Sequence, residues 1–279
     1  FGMIGCGKNQ VLKKENVNET NQEQATENKE TTEEQKENTN NNTEEQSQSQ
    51  IDYINIAPEE VKIPILMYHS ISDEDPSNNL LVPPAMFEEQ MAWLEANNFT
   101  AMNMDEALEA MRTGKVPKRP VVITFDDGYA NNYTSAFPSL KNHKLKATFF
   151  VITDGVDNGY YMSSDNLKEM QEAGMSIENH TANHLELNNL SKTDAYESIK
   201  RAQDYLRNVI GSDGNYLCYP VGKYNDETIQ IEEELGIKAA VTTQGGFASI
   251  NDGLHTLKRV RISPMSIEGF ASIFSEYIN

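Results

Sequence analysis

Apolar residues come in short bursts along most of this chain, separated by stretches in which they recur every three or four positions. Val121-Val122-Ile123-Thr124-Phe125, bounded by Pro120 and Gly128, is an unbroken run of β-branched and aromatic residues, the pattern of a strand buried on both faces. Similar runs predict strands over 61–68, 146–152, 175–179, 216–220 and 238–243, with a shorter one over 98–102. Between them the spacing turns helical. Met86, Phe87, Gln90, Met91 and Leu94 share one face of a helix over 84–97, where the methionines serve as core filler and not as ligands. Further helices are predicted over 104–112, 133–143, 163–173, 191–210, 226–235 and 270–277, several ended by a glycine and the fourth of these opened by Ser191. His143 falls in the polar turn after its helix and reads as solvated. The segment 254–262 closes the domain.

Strand alternating with helix argues for parallel β/α units, and the folded part, about 230 residues over 51–279, is the size of a single α/β barrel. Residues 7–50 are different. They are nearly all Asn, Gln, Glu, Thr, Lys and Ser, a composition that buries too little to offset its ordering entropy, so a disordered polar tether is expected. Ahead of it, residues 1–6 are small and apolar up to Cys6 and look like the remnant of a lipoprotein signal region with Cys6 as the lipidated residue; an unstructured terminus with an incidental cysteine is the alternative. A lipid anchor there would hold an extracytoplasmic domain to a membrane it does not cross, since no run approaches the roughly 18 apolar residues of a span. A net charge of -20 argues against a nucleic-acid partner. The cysteines are Cys6 and Cys218. With Cys6 lipidated no disulfide forms, and Cys218 reads as a small apolar strand residue.

Two stretches carry chemistry. Thr124-Phe125-Asp126-Asp127-Gly128 ends a buried strand in adjacent carboxylates, which no apolar core accepts unpaired. His180-Thr181-Ala182-Asn183-His184 sets two imidazoles four apart, so that on a helix or a tight turn both can point the same way. Two histidines and one carboxylate, with the fourth position open for water, form the ligand set of a catalytic zinc-type site; cobalt or nickel could occupy it as well. The carboxylate left over, beside a metal-bound water, is a natural general base. His69 follows the strand over 61–68 and could line a barrel mouth, or serve as a hydrogen-bonded structural residue.

These two motifs in this order resemble those of the polysaccharide deacetylases of carbohydrate esterase family 4, the NodB-homology domain, over about Ile63 to Arg261. Pro64-Ile65-Leu66-Met67-Tyr68-His69-Ser70-Ile71 and Cys218-Tyr219-Pro220-Val221-Gly222-Lys223-Tyr224-Asn225 look most like the branch that deacetylates poly-N-acetylglucosamine. The resemblance implies a distorted or incomplete (β/α) barrel in the α/β class. It implies metal ligation by Asp127, His180 and His184, Asp126 as base, and substrate or oxyanion contacts from Tyr219, Pro220, Arg259 and His69. The backbone N–H of Tyr219 is the expected oxyanion donor. Family members carry an arginine near the Cys218 motif; here Arg259 or Arg261 is left to supply that charge to Asp126. The late Leu254-His255 pair stands where the family has its acid, which carries that role to His255. The implied reaction is metal-dependent de-N-acetylation of N-acetylglucosamine residues in a cell-surface polysaccharide, poly-β-1,6-N-acetylglucosamine first, with peptidoglycan as the enzymatic alternative and a non-catalytic wall-binding lipoprotein as the other.

Overall fold

Successive side chains of a strand point to opposite faces, so a strand buried on both sides has to belong to a sheet covered on both. Pro120–Phe125 is such a strand, with every residue buried. The computed structural model of this protein describes residues 51–278, and the tether expected over 7–50 lies outside them with Cys6. In it, seven parallel strands follow one another around a closed barrel: Ile65–Tyr68, Pro120–Phe125, Thr148–Val151, Ser176–Asn179, Tyr216–Cys218, Ala239–Gly245 and Leu257–Arg261. The last pairs with the first through Val260 and Leu66, and the first pairs with the second through Ile65 and Val122, which completes the ring. Thr100–Met102 adds a short parallel strand along Pro120–Val122.

The period of two divides the barrel residues cleanly. Ile65, Val122, Phe150, Tyr216, Cys218, Ala239, Val241 and Leu257 form one buried cluster with Met104, Leu108 and Met111 of the helix Met104–Thr113, and this is the lumen. Their neighbours face outward. Leu66, Tyr68, Val121, Ile123, Phe125, Phe149 and Val151 meet Phe87, Met91 and Leu94 of the helix Pro84–Ala96. Phe125 stacks on Phe149 at 4.7 Å. Leu217, Tyr219 and Ala240 face outward on the other flank, against Ala195 and Ile199 of Lys192–Ile210 and Ile231 of Asp226–Leu235. This is an α/β fold of the expected barrel type, closed by seven strands.

Some elements differ from the pattern along the chain. The helix expected over 133–143 begins as a π-helical turn, Asn132–Ala136, before the α-helix Phe137–Asn142. Pro138 has no N–H to give, and the Phe137 N–H reaches back five residues to Asn132 O instead. The terminal helix expected over 270–277 is two pieces, Ile267–Ile273 and Ser275–Ile278. His143 is not solvated: its ring is wedged between Glu95 and Glu88, with Nδ1 2.6 Å and Nε2 2.8 Å from their carboxylates. Among the described residues no helix is long and apolar enough to cross a membrane.

Candidate active site

Counting in steps of two from Val122 and Thr124 carries the lumen face past the end of its strand to Asp126. The same count from Tyr216 reaches Cys218, and from Leu257 it reaches Arg259. These side chains meet inside the barrel near the C-terminal ends of its strands. Arg259 is 1 % exposed, yet all its donors are matched. Nε donates to Thr242 O at 2.9 Å, Nη1 to Thr124 Oγ1 at 3.1 Å and Asp126 Oδ1 at 2.7 Å, and Nη2 to Asp126 Oδ2 at 2.7 Å and Cys218 Sγ at 3.3 Å. A fork of five donors fits this set of acceptors as no other side chain could. Burial by itself would push the Asp126 carboxyl up; the Arg259 guanidinium outweighs it and holds the group well below the usual carboxylate range. Asp126 is therefore ionised in a buried place. Of the two arginines left open by the sequence, Arg259 is its partner. Cys218, read as merely apolar, is an acceptor in this network.

Asp127 turns away from its neighbour because its backbone is left-handed, with φ of 74°, followed by Gly128 at 82°. A left-handed aspartate costs on the order of 1–2 kcal/mol, a cost repaid by aiming the second carboxylate at the histidines. His180 and His184 come from a bent loop and not from a helix. Thr181 and His184 are also left-handed, at 63° and 55°. The loop is tied down at several points: Asn179 Oδ1 accepts from Thr181 N at 2.7 Å, Thr181 Oγ1 accepts from His184 N at 3.0 Å, and Ser198 O accepts from Ala182 N at 2.9 Å. Nε2 of His180 then lies 3.2 Å, and Nε2 of His184 3.4 Å, from the same Asp127 Oδ1.

The donor chemistry of this trio fits a divalent metal. His180 Nδ1 is 2.7 Å from Cys218 O, so it carries the proton and leaves Nε2 with a lone pair facing the Asp127 carboxylate. Ligand atoms of Asp127, His180 and His184 all lie within 4.8 Å of one another. Such a convergence of lone pairs calls for a cation, and two imidazoles with one carboxylate suit zinc. Asp126, His180 and Cys218 also fall within 4.8 Å, but Asp126 and Cys218 already receive the Arg259 guanidinium, whose charge repels a cation.

His69 lies in this site. Its Nε2 is 3.8 Å from Asp126 Oδ2, and its backbone carbonyl accepts from Asn132 Nδ2 at 2.7 Å. Burial lowers its pKa, against the pull of Asp126. Asn132, in the π-helical turn, is a contributor that no pattern along the chain singles out. His255 is elsewhere. It precedes the seventh strand, Leu257–Arg261, at the end of the barrel away from the strand C-termini. Its Nδ1 is 2.6 Å from Glu232, a buried residue of the outer helix Asp226–Leu235. Against the expected acid role, His255 lies with Glu232 and not in the cluster of Asp126, Asp127, His180 and His184. Tyr219 departs from expectation as well: its N–H is directed at Val241 O in the sheet, 3.4 Å away, and its ring lies outside the barrel, stacked on Tyr224 at 4.5 Å with the hydroxyl bonded to His255 O. Pro220 is buried beside it and has no N–H to offer, while Arg261 is exposed.

Comparison with known proteins follows the same lines. The polysaccharide deacetylase family profile matches residues 113–240, which span both the Asp126-Asp127 and the His180-His184 stretches. YxkH of Bacillus subtilis (strain 168), itself assigned to the polysaccharide deacetylases, is 40% identical over 218 residues, covering 78% of this chain and 76% of the relative. A poly-β-1,6-N-acetyl-D-glucosamine N-deacetylase of Staphylococcus epidermidis is 28% identical over 230 residues, 73% of this chain and 80% of that protein. Among solved structures, the Streptococcus pyogenes deacetylase PplD in complex with acetate superposes with a TM-score of 0.75 at 36% identity, over 77% of this chain and 99% of that one. The chain belongs to the polysaccharide deacetylases of the NodB-homology type, carbohydrate esterase family 4, hydrolases of amide C–N bonds.

Proposed function

We propose that this enzyme removes acetyl groups from N-acetylglucosamine residues of a cell-surface polysaccharide, with poly-β-1,6-N-acetylglucosamine as its polymer and Asp127, His180 and His184 as the ligands of a zinc ion. The observation that carries the reading is the pairing of two carboxylates with opposite tasks: Asp127 Oδ1 faces two imidazole nitrogens, while Asp126 is clamped by Arg259. The similarity to the staphylococcal poly-β-1,6-N-acetyl-D-glucosamine N-deacetylase supports the choice of polymer. A polymer outside the cytoplasm would suit a chain anchored through Cys6.

Zinc on that trio would polarise the acetamide carbonyl and lower the pKa of water. Asp126 then accepts the proton of the attacking water as the new C–O bond forms, and its ionised state at neutral pH makes it ready to do so. The proton taken up by Asp126 passes to His69, whose Nε2 lies 3.8 Å from Asp126 Oδ2, and from His69 to the amide nitrogen as the C–N bond breaks, leaving acetic acid and a free sugar amine. Asn132 holds the His69 backbone for that transfer.

The test is acetate release from β-1,6-linked N-acetylglucosamine oligomers and from peptidoglycan fragments by zinc-loaded protein. Asp126→Asn and His180→Ala should abolish release, and His69→Ala should lower kcat by about 10²–10⁴-fold. His255→Gln should stay within a few-fold of wild type. Release from peptidoglycan alone would replace the polymer; a His255→Gln loss as deep as that of His69→Ala would return the acid role to His255.

A further inference from the structure

Large apolar side chains are unevenly exposed around the barrel. Tyr160, Leu185 and Val221 are 65%, 49% and 51% exposed, and they sit on the loops after the third, fourth and fifth strands, the same end as the metal ligands. Leu185 directly follows His184. Tyr160 belongs to a cluster with Tyr129, which follows Asp127 by two residues, and with Tyr161. The Tyr129 and Tyr161 rings stack at 5.6 Å, and Tyr160 meets both edge to face, at 5.5 Å and 5.1 Å. Tyr129 and Tyr161 also pair as an antiparallel bridge, and Met162 N donates to Gly128 O at 2.9 Å, so the cluster is held beside the Asp127-Gly128 turn.

An exposed aromatic on a loose loop would mean little. This loop is not loose. Asn158 Oδ1 accepts from Tyr160 N at 2.9 Å and Tyr161 N at 3.1 Å, and Tyr160 O accepts from Ala130 N at 3.0 Å. Asp157 is left-handed, and its carboxylate accepts from Ser164 N at 2.8 Å. The Tyr161 ring lies flat against Gly155, where even a Cβ would come within 2.4 Å of it. The chain thus uses backbone and ring contacts to keep one tyrosine ring fixed in water, next to the reaction centre.

We propose that Tyr160, propped by Tyr129 and Tyr161, is a sugar-binding subsite: its ring stacks against the C–H face of the pyranose next to the one whose acetamide reaches Asp127, His180 and His184. The inference rests on the deacetylase reading above and extends it. A rigid aromatic face offers apolar contact at little ordering cost, and the C–H bonds of a pyranose face suit the negative face of the ring. Leu185 and Val221 continue the apolar rim on the neighbouring loops. The enzyme then reads at least two sugars, and its preference for polymer over monomer resides in this ring.

The experiment compares kcat/KM for acetate release from a β-1,6-linked N-acetylglucosamine pentamer and from the monomer, using the full zinc-loaded chain. In Tyr160→Ala the pentamer-to-monomer ratio should fall about tenfold, through KM, whereas Tyr160→Phe should keep it. Circular dichroism of both variants checks the fold. An unchanged ratio in Tyr160→Ala, or an equal loss in Tyr160→Phe, overturns the subsite. If wild type releases no acetate from any oligomer, the deacetylase reading fails, and calorimetric titration of the pentamer decides the subsite on its own: about tenfold weaker binding by Tyr160→Ala sustains it, while unchanged or absent binding overturns it.

Discussion

Asp126 is charged inside a protein because Arg259 is there, and Arg259 tolerates burial because each of its N–H groups has an acceptor. The pair stands or falls together. Arg259→Leu would leave an unpaired buried carboxylate and cost about 3–5 kcal/mol of stability by urea unfolding. Arg259→Lys keeps a charge but not the fork, so Asp126 loses part of its depression. A carboxyl whose folded pKa is depressed contributes stability above its unfolded pKa and loses it as pH falls through the folded one. With the folded value raised, both the acid limb of kcat/KM and the acid unfolding midpoint should move to higher pH in Arg259→Lys. An acid limb that stays where wild type has it would mean that Asp126 is held ionised by something else. At this scale the sequence was informative about which residues do chemistry and poor at pairing them: Asp126 and Arg259 stand far apart along the chain, and only ring closure brings the seventh strand beside the first, one place from the second that leads to Asp126.

Short elements were legible where the signal was local. The helix Asp226–Leu235 begins and ends where its capping Asn225 and Gly236 put it, since both act through neighbours in sequence. His143 was misread because its partners belong to another helix. Glu88 and Glu95, two turns apart on the same face of Pro84–Ala96, close on both ring nitrogens. Burial works against a charged ring here, but the Glu95 and Glu88 carboxylates outweigh it and raise the pKa above the ordinary histidine value. A raised folded pKa means that the stabilisation is fully present below the unfolded value near 6.5 and is lost as pH climbs through the folded value. The thermal midpoint of wild type should therefore exceed that of His143→Gln most at pH 6 and least at pH 9, read as the difference between the two proteins across the series. A difference that is flat with pH would reduce the clamp to plain packing.

A metal held by Asp127, His180 and His184, as proposed, would cross-link the loops after the second and fourth strands at the barrel mouth. A ligand that binds only the folded state stabilises it by RT ln(1 + [L]/Kd), about 2.7 kcal/mol at a hundredfold excess over Kd, or roughly 5–10 °C for a domain of this size. Chelation should lower the thermal midpoint by that amount, added zinc should restore it, and His180→Ala should respond to neither; a chelator-insensitive wild type would remove the metal from the account. The sequence by itself determined the α/β alternation, the barrel class and the candidate trio Asp127, His180 and His184, because strand runs, helix periodicity and two compact motifs are written in neighbouring residues. Tertiary structure alone decided that Arg259 secures Asp126, that His69 and not His255 stands at the mouth, and that the Tyr219 ring faces away from it. Those outcomes depend on which face of each strand turns into the lumen and on which end of the barrel a residue occupies, and both follow from closing the ring.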